Sequence, residues 1–231
     1  MKIVVVCAMK EEYAAVQAGL GANAGARFEV IRAGVGPVSA ARVASELAAR
    51  ATPPSVIVST GFCGGLIDEL KVGDIVVGSD VEYTESISCA SDRPDCADAA
   101  EFARTLDSAL KLKCARVFWG KTICSKDAVA TVGEKRRLGQ RASVVDMESY
   151  ALATHCNSRV VFVRVVSDSV TDELPAEVGE FLDAAGNVRA GSIARFIIKK
   201  PTNFLRLMEL KKRSDIAAKA LTEAWRAIRD M

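Results

Sequence analysis

Short apolar runs rich in valine and isoleucine recur at Lys2–Ala8, Ser55–Thr60, Asp74–Val77, Val117–Ile123 and Arg159–Val166, each bounded by turn residues. Runs this brief, with little polar alternation, predict strands covered on both faces. Phe28–Ala33 and Asp80–Ser88 are further candidate strands. Helical spacing appears between them, with alanine and valine along Pro37–Ala51, an amphipathic stretch at Ala97–Leu110 and a shorter segment at Met147–Cys156. Strands alternating with helices predict an α/β fold: a mixed, mostly parallel central sheet with helices on both sides, in three layers. Pro53-Pro54 marks a turn, and Ser91–Asp98 reads as an exposed loop. The pattern changes at Pro201, which divides the chain into a main domain over 1–200 and a basic amphipathic helical extension over 201–231.

Composition narrows the function classes. With 231 residues and a net charge of +2, the chain suits one sizeable domain and carries no electrostatic footprint for nucleic acid. Seven cysteines form no CxxC or Cys/His metal pattern, and one histidine, His155, makes a histidine-rich zinc site or a Ser-His-Asp triad a poor expectation. An odd cysteine count behind an N-terminus that reads as a strand suggests reduced thiols and a cytoplasmic home. No stretch approaches the roughly 18–20 apolar residues that a membrane span needs.

Three strand ends carry carboxylates: Glu11 and Glu12 after the first run, Asp146 and Glu148 in the middle, and Asp168 after the last. In an open α/β sheet such ends converge on one crevice. Taken singly, each has an ordinary alternative. Glu12 and Glu148 suit a solvated first helical turn, where acids complement the dipole. Asp168, flanked by Ser167 and Ser169, suits a helix N-cap; as a partly buried carboxyl it also suits proton donation unless hydrogen bonds oppose it. Gly34-Val35-Gly36-Pro37-Val38-Ser39 offers helix N-terminal N–H groups to an anion or a polar sugar, or makes a tight turn. Thr60-Gly61-Phe62-Cys63-Gly64-Gly65 lets backbone approach a ligand, or lets the chain turn.

Read in order, AMKEE, AGVGPVSAA, STGFCGGLIDELKVGDIVV, SKDAVA, VVDMESYALA and VRVVSDS resemble the nucleoside phosphorylase superfamily, most closely its methylthioadenosine/S-adenosylhomocysteine nucleosidases. The resemblance implies a phosphorylase-like fold and cleavage of a purine nucleoside's N-glycosidic bond, with no metal or organic cofactor. It implies Glu12 as the base that activates water, Glu148 as the grip on the ribose hydroxyls and Met147 beneath the sugar. It implies Asp168 as the acid at the departing base, oriented by Ser167 and Arg164, with Gly64 and Val129 at the substrate. Phe62 stands where the nucleosidases usually carry serine, and Val129 where they commonly place an aromatic ring over adenine. The phosphorylases' N-terminal phosphate-binding arginine motif is absent, which favours water as nucleophile, while Ser39 keeps phosphate open.

The tail, in which Phe196, Ile197, Ile198, Phe204, Leu205 and Met208 alternate with Lys199, Lys200, Arg206, Lys211, Lys212 and Arg213, suits either a helix covering the sheet or a peripheral membrane contact. It also resembles tails of hopanoid-associated phosphorylases, whose substrate is a lipid-linked nucleoside. A futalosine hydrolase and a catalytically idle nucleoside-binding protein are the other readings. The expected partners are a small nucleoside and a second copy of the chain. The 5′-substituent pocket is expected to draw on loops such as Tyr83–Asp98.

Overall fold

The computed structural model describes residues 3–22, 27–84, 96–156, 158–183 and 185–231. Its strands are β1 (Ile3–Cys7), β2 (Phe28–Arg32), β3 (Val56–Gly65), β4 (Ile75–Gly78), β5 (Val81–Tyr83), β6 (Val117–Trp119), β7 (Thr122–Cys124), β8 (Val144–Asp146) and β9 (Arg159–Asp168). Its helices are α1 (Lys10–Leu20), α2 (Pro37–Ala48), α3 (Cys96–Lys113), α4 (Val132–Leu138), α5 (Ser149–His155), α6 (Ala190–Lys199) and α7 (Asn203–Arg229). One sheet runs β5-β7-β8-β3-β9-β4-β6, with β1 beside β3 and β2 beside β1. All pairings are parallel except β3–β8 and β4–β9. This is the expected mixed, mostly parallel sheet.

Side-chain alternation along each strand builds the layers. Ile3 and Val5 of β1, Val56 and Val58 of β3 and Val161, Val163 and Val165 of β9 enter one core with apolar residues of α1, α3 and α7. Val4, Val6, Ile57 and Val160 point the other way, into a second core with α2 and α5.

The structure departs from the sequence pattern in four places. The run Val117–Ile123 is two strands, with β6 on β4 and β7 between β5 and β8. The chain changes partners at Gly120, where a Cβ would lie 2.8 Å from Val76 Cγ1. Thr60–Gly65 is a continuation of β3, whose far end pairs with β8. Helix α4 was not expected. Lastly, residues 201–231 are no appendage, because Ala217, Leu221, Ala224, Trp225, Ala227 and Ile228 of α7 are buried in the main core. Each large apolar side chain among them contributes about 1.5–3 kcal/mol on burial, and Trp225 Nε1 donates to Thr60 Oγ1 at 3.1 Å. Helix α7 is therefore the sheet-covering helix that the tail's pattern allowed.

The first half of α7 is different: Phe204, Leu205 and Met208, with Ile198 of α6, are exposed. Among the described residues no helix is long and apolar enough to cross a membrane. Of the strand expected at Asp80–Ser88, β5 accounts for Val81–Tyr83. Residues 85–88, and 85–95 of the loops expected at Ser91–Asp98 and Tyr83–Asp98, lie outside the described residues; Cys96–Asp98 begin α3.

Candidate active site

Glu12 and Glu11 part company as soon as α1 begins. Glu11 is exposed, whereas Glu12 is 3% exposed and turns back over the helix start. Its Oε2 accepts from the N–H groups of Ala8 (2.8 Å) and Met9 (2.9 Å), and its Oε1 from Phe62 N–H (2.7 Å). An acid at the third position of a helix naturally reaches the unpaired N–H groups before it. Gly61 makes the space: with φ at +144°, a Cβ there would lie 2.5 Å from Glu12 Oε1. Burial pushes the Glu12 carboxyl up, opposed by the three backbone N–H groups and the Arg164 charge.

Asp146 and Glu148 leave the end of β8 in different states. Burial works against the charge on Asp146, but Arg164, Cys124 and Ser149 overcome it and hold the carboxyl below its usual range. Arg164 Nε lies 3.0 Å from Asp146 Oδ2, and Ser149 Oγ donates to the same oxygen at 2.5 Å. The guanidinium also donates from Nη2 to Ser59 Oγ (2.7 Å) and Ser149 Oγ (2.9 Å), and lies 3.9 Å from Glu148 Oε2. A fully buried cation on an apolar strand needs such partners. Arg164 thus supports Asp146 and Glu148; the expectation that it orients Asp168 is corrected. The Gly36 N–H, open in sequence to a ligand or to a tight turn, donates to Glu148 Oε1 at 2.9 Å.

Glu148 is pushed up from 4.5 to about 7, by burial first and by the charges of Asp146 and Glu12, with Arg164 opposing. A carboxyl raised in the folded state contributes stability that is complete below its unfolded value and lost as pH rises through its folded value. The window therefore runs from 4.5 to about 7. Glu148→Gln removes this titration, so its stability relative to the parent should grow across the window by about 3 kcal/mol at most. Thermal melts at pH 5 and pH 8 test this, and a gap that stays constant between them would refute it.

Asp168 closes β9 through a bulge. Cys63 pairs with Val166 but Gly64 pairs with Asp168, leaving Ser167 as the extra residue. Bulges re-aim side chains in this way. A Cβ on Gly64 would stand 3.2 Å from Asp168 Oδ2 and 3.0 Å from Val145 Cγ1, so glycine admits the acid. Ser167 Oγ lies 2.8 Å from Asp168 Oδ1 and 3.2 Å from the Cys63 carbonyl oxygen, and its one proton serves either. No helix begins at Asp168, so the N-cap alternative does not apply. The cation at Asp168 is Lys135 of α4, fully buried and bonded to Oδ2. Sequence reasoning missed Lys135 because Glu134-Lys135-Arg136-Arg137 reads as a solvated charged run. The available signal was its three-residue spacing from the buried Leu138.

These groups share one cavity of about 230 Å³. Glu12, Glu148, Asp168, Ser167, Met147, Gly64 and Val129 line it. Arg164 lies behind the wall and is not among the lining residues. Phe62 is the aromatic residue of the lining, while Ser214 brings α7 to the site. A contiguous space of about 460 Å³ is bordered by Val35, Met147, Ala176, Val178 and Leu182. Among the described residues no cluster of three or more His, Cys, Asp or Glu is placed to hold a metal ion.

The profile of the phosphorylase superfamily matches residues 2–198. The chain belongs to that superfamily. It is 30% identical over 173 residues to a 5′-methylthioadenosine/S-adenosylhomocysteine nucleosidase of Actinobacillus succinogenes, an alignment covering 68% of this chain and 74% of the relative. The solved futalosine hydrolase of Helicobacter pylori is similar at a TM-score of 0.65 and 18% identity, covering 97% of each chain. The corresponding nucleosidase of Neisseria meningitidis, solved with methylthio-immucillin-A, is similar at a TM-score of 0.63 and 22% identity, covering 97% of this chain and 98% of that one. The structural likeness runs beyond residue 198, as expected if α7 is part of the shared fold.

Proposed function

We propose that this protein hydrolyses the N-glycosidic bond of a purine nucleoside. The supporting observation is the meeting of Glu12, Glu148 and Asp168, from three strand ends, on one cavity. Glycosidic cleavage passes through an oxocarbenium-like state and needs leaving-group stabilisation on one side and a base on the other. Glu12, steadied by three N–H groups, takes a proton from the attacking water. Glu148 accepts the ribose hydroxyls, with Met147 under the sugar and Arg164 holding the acid pair from behind. The C–N electron pair leaves with the base, whose ring nitrogen meets Asp168 and Ser167, while Gly64, Phe62 and Val129 border the ring.

The space beyond Met147, bordered by Val35, Val178 and Leu182 and also by Asp127 and Asp183, favours a second reading, in which the 5′ substituent is bulky, as in a futalosine-type or lipid-linked nucleoside. A panel of methylthioadenosine, a futalosine-type nucleoside and a nucleoside with a polycyclic 5′ hydrocarbon, each with and without inorganic phosphate, separates these. Base release independent of phosphate is expected; no release from any member would overturn the proposal, and strict phosphate dependence would replace water as the nucleophile.

We further propose a cytoplasmic homodimer, which sedimentation as a monomer would exclude. The exposed Ile198, Phe204, Leu205 and Met208, beside Lys199, Lys200 and Arg206, suit peripheral contact with an anionic bilayer. Failure to float with anionic vesicles would remove that contact.

A further inference from the structure

We propose that Lys135 is a positioning residue for the cleavage reaction, holding the Asp168 side chain in place at the departing base. The inference rests on the glycosidic reading above. Lys135 projects from the inward face of α4, and its side chain is wholly shielded from solvent. Its ammonium has three donors and three acceptors: Asp168 Oδ2, the Ser169 carbonyl at 3.0 Å and the Asp172 carbonyl at 2.8 Å. The turn that supplies those carbonyls is held in its own right. The Asp172 carboxylate accepts from Ser169 N–H and Ser169 Oγ, both at 2.8 Å, and pairs with Arg213 of α7 at 3.1 Å. Asp168 is thus held by α4, beside a turn that α7 braces through Arg213.

A buried ion pair in the core would need no role beyond packing. This one has its acid on the cavity wall, with Oδ2 taken by Lys135 and Oδ1 beside the neutral Ser167 hydroxyl. With Oδ2 held by Lys135, Oδ1 and the Ser167 hydroxyl are the groups left to meet the base's ring nitrogen as the C–N electron pair departs with the base.

The charged groups around Asp168 are Lys135 from α4, Asp172 with Arg213 behind the turn, Glu12, Asp127, Asp146 and Glu148 on the cavity, and Arg164 behind its wall. The test compares kcat and KM for base release, with thermal melts, in the parent, Lys135→Met and Lys135→Arg. Lys135→Met should lower kcat about 100-fold, as for a disabled acid–base group, with KM little changed, and Lys135→Arg should recover part of kcat. A lowered melting temperature with parental kcat would reduce Lys135 to packing and overturn the proposal, as would a rise in KM alone. Should Lys135→Met not fold, Lys135→Gln keeps a donor for the carbonyls, and parental kcat in that variant overturns the proposal equally. A parent that releases no base from any substrate defeats the glycosidic reading itself, before any variant is compared.

Discussion

Asp168→Asn is expected to lower kcat for base release by about 10²–10⁴-fold, the range for loss of a positioned acid–base group. An amide has the carboxylate's shape but cannot carry its charge against the developing N–H of the base. The same change also removes the counter-ion of a fully buried ammonium. Lys135 would retain the Ser169 and Asp172 carbonyls but no anion. Breaking one side of a buried pair typically costs about 3–5 kcal/mol, so the melting temperature should fall together with activity. The combined Asp168→Asn, Lys135→Met variant separates the two effects. It should regain much of the lost stability, because no uncompensated charge remains, and regain none of the turnover. Base release and thermal melts on the three proteins check this. A single variant as active as the parent would exclude Asp168 from the chemistry.

Much of this architecture can be read from the chain because β-branched runs bury both faces of a strand wherever they lie. β1, β4 and most of β9 follow from that alone, while the half-buried β2, with Glu29 and Arg32 in it, follows less directly. Partner choice does not. Val117–Ile123 is one apolar run, and only the crowding at Gly120 against Val76 and Ser143 divides it between two neighbours. Glycines in Thr60–Gly65 suggest a turn, yet they keep the strand and make room for acids, Gly61 for Glu12 and Gly64 for Asp168. The carboxylates were visible as strand-end residues, but their partners were less so. Arg164 stands out in an apolar strand as a cation that must be neutralised, without indicating by which acid. Lys135 stands out only by its three-residue spacing from Leu138, since direction around a helix decides whether a lysine is solvated or buried. The final helix was legible as amphipathic, while its packing depended on Gly19 of α1, where a Cβ would lie 2.6 Å from the Thr222 carbonyl oxygen.

Glu12→Gln should likewise lower kcat by about 10²–10⁴-fold, and here the local geometry makes the substitution informative. Both oxygens of Glu12 accept backbone N–H groups, Oε2 from Ala8 and Met9 and Oε1 from Phe62. A glutamine offers one acceptor, so its NH₂ must face at least one of those donors. Leaving a buried donor unsatisfied costs about 1–3 kcal/mol, and the strain falls on β3 at Phe62 or on the entry to α1. Glu12→Ala avoids the clash and leaves a small, N–H-lined space where the carboxylate was. That space suits formate, an anion of the same chemistry. Base release by Glu12→Ala should therefore rise with formate concentration and saturate, whereas the parent and Asp168→Asn should not respond. If Glu12→Ala retained parental activity without formate, water would be activated by another group. If it were inactive and unresponsive while still folded, the carboxylate would be needed for the shape of β3 and not for proton transfer.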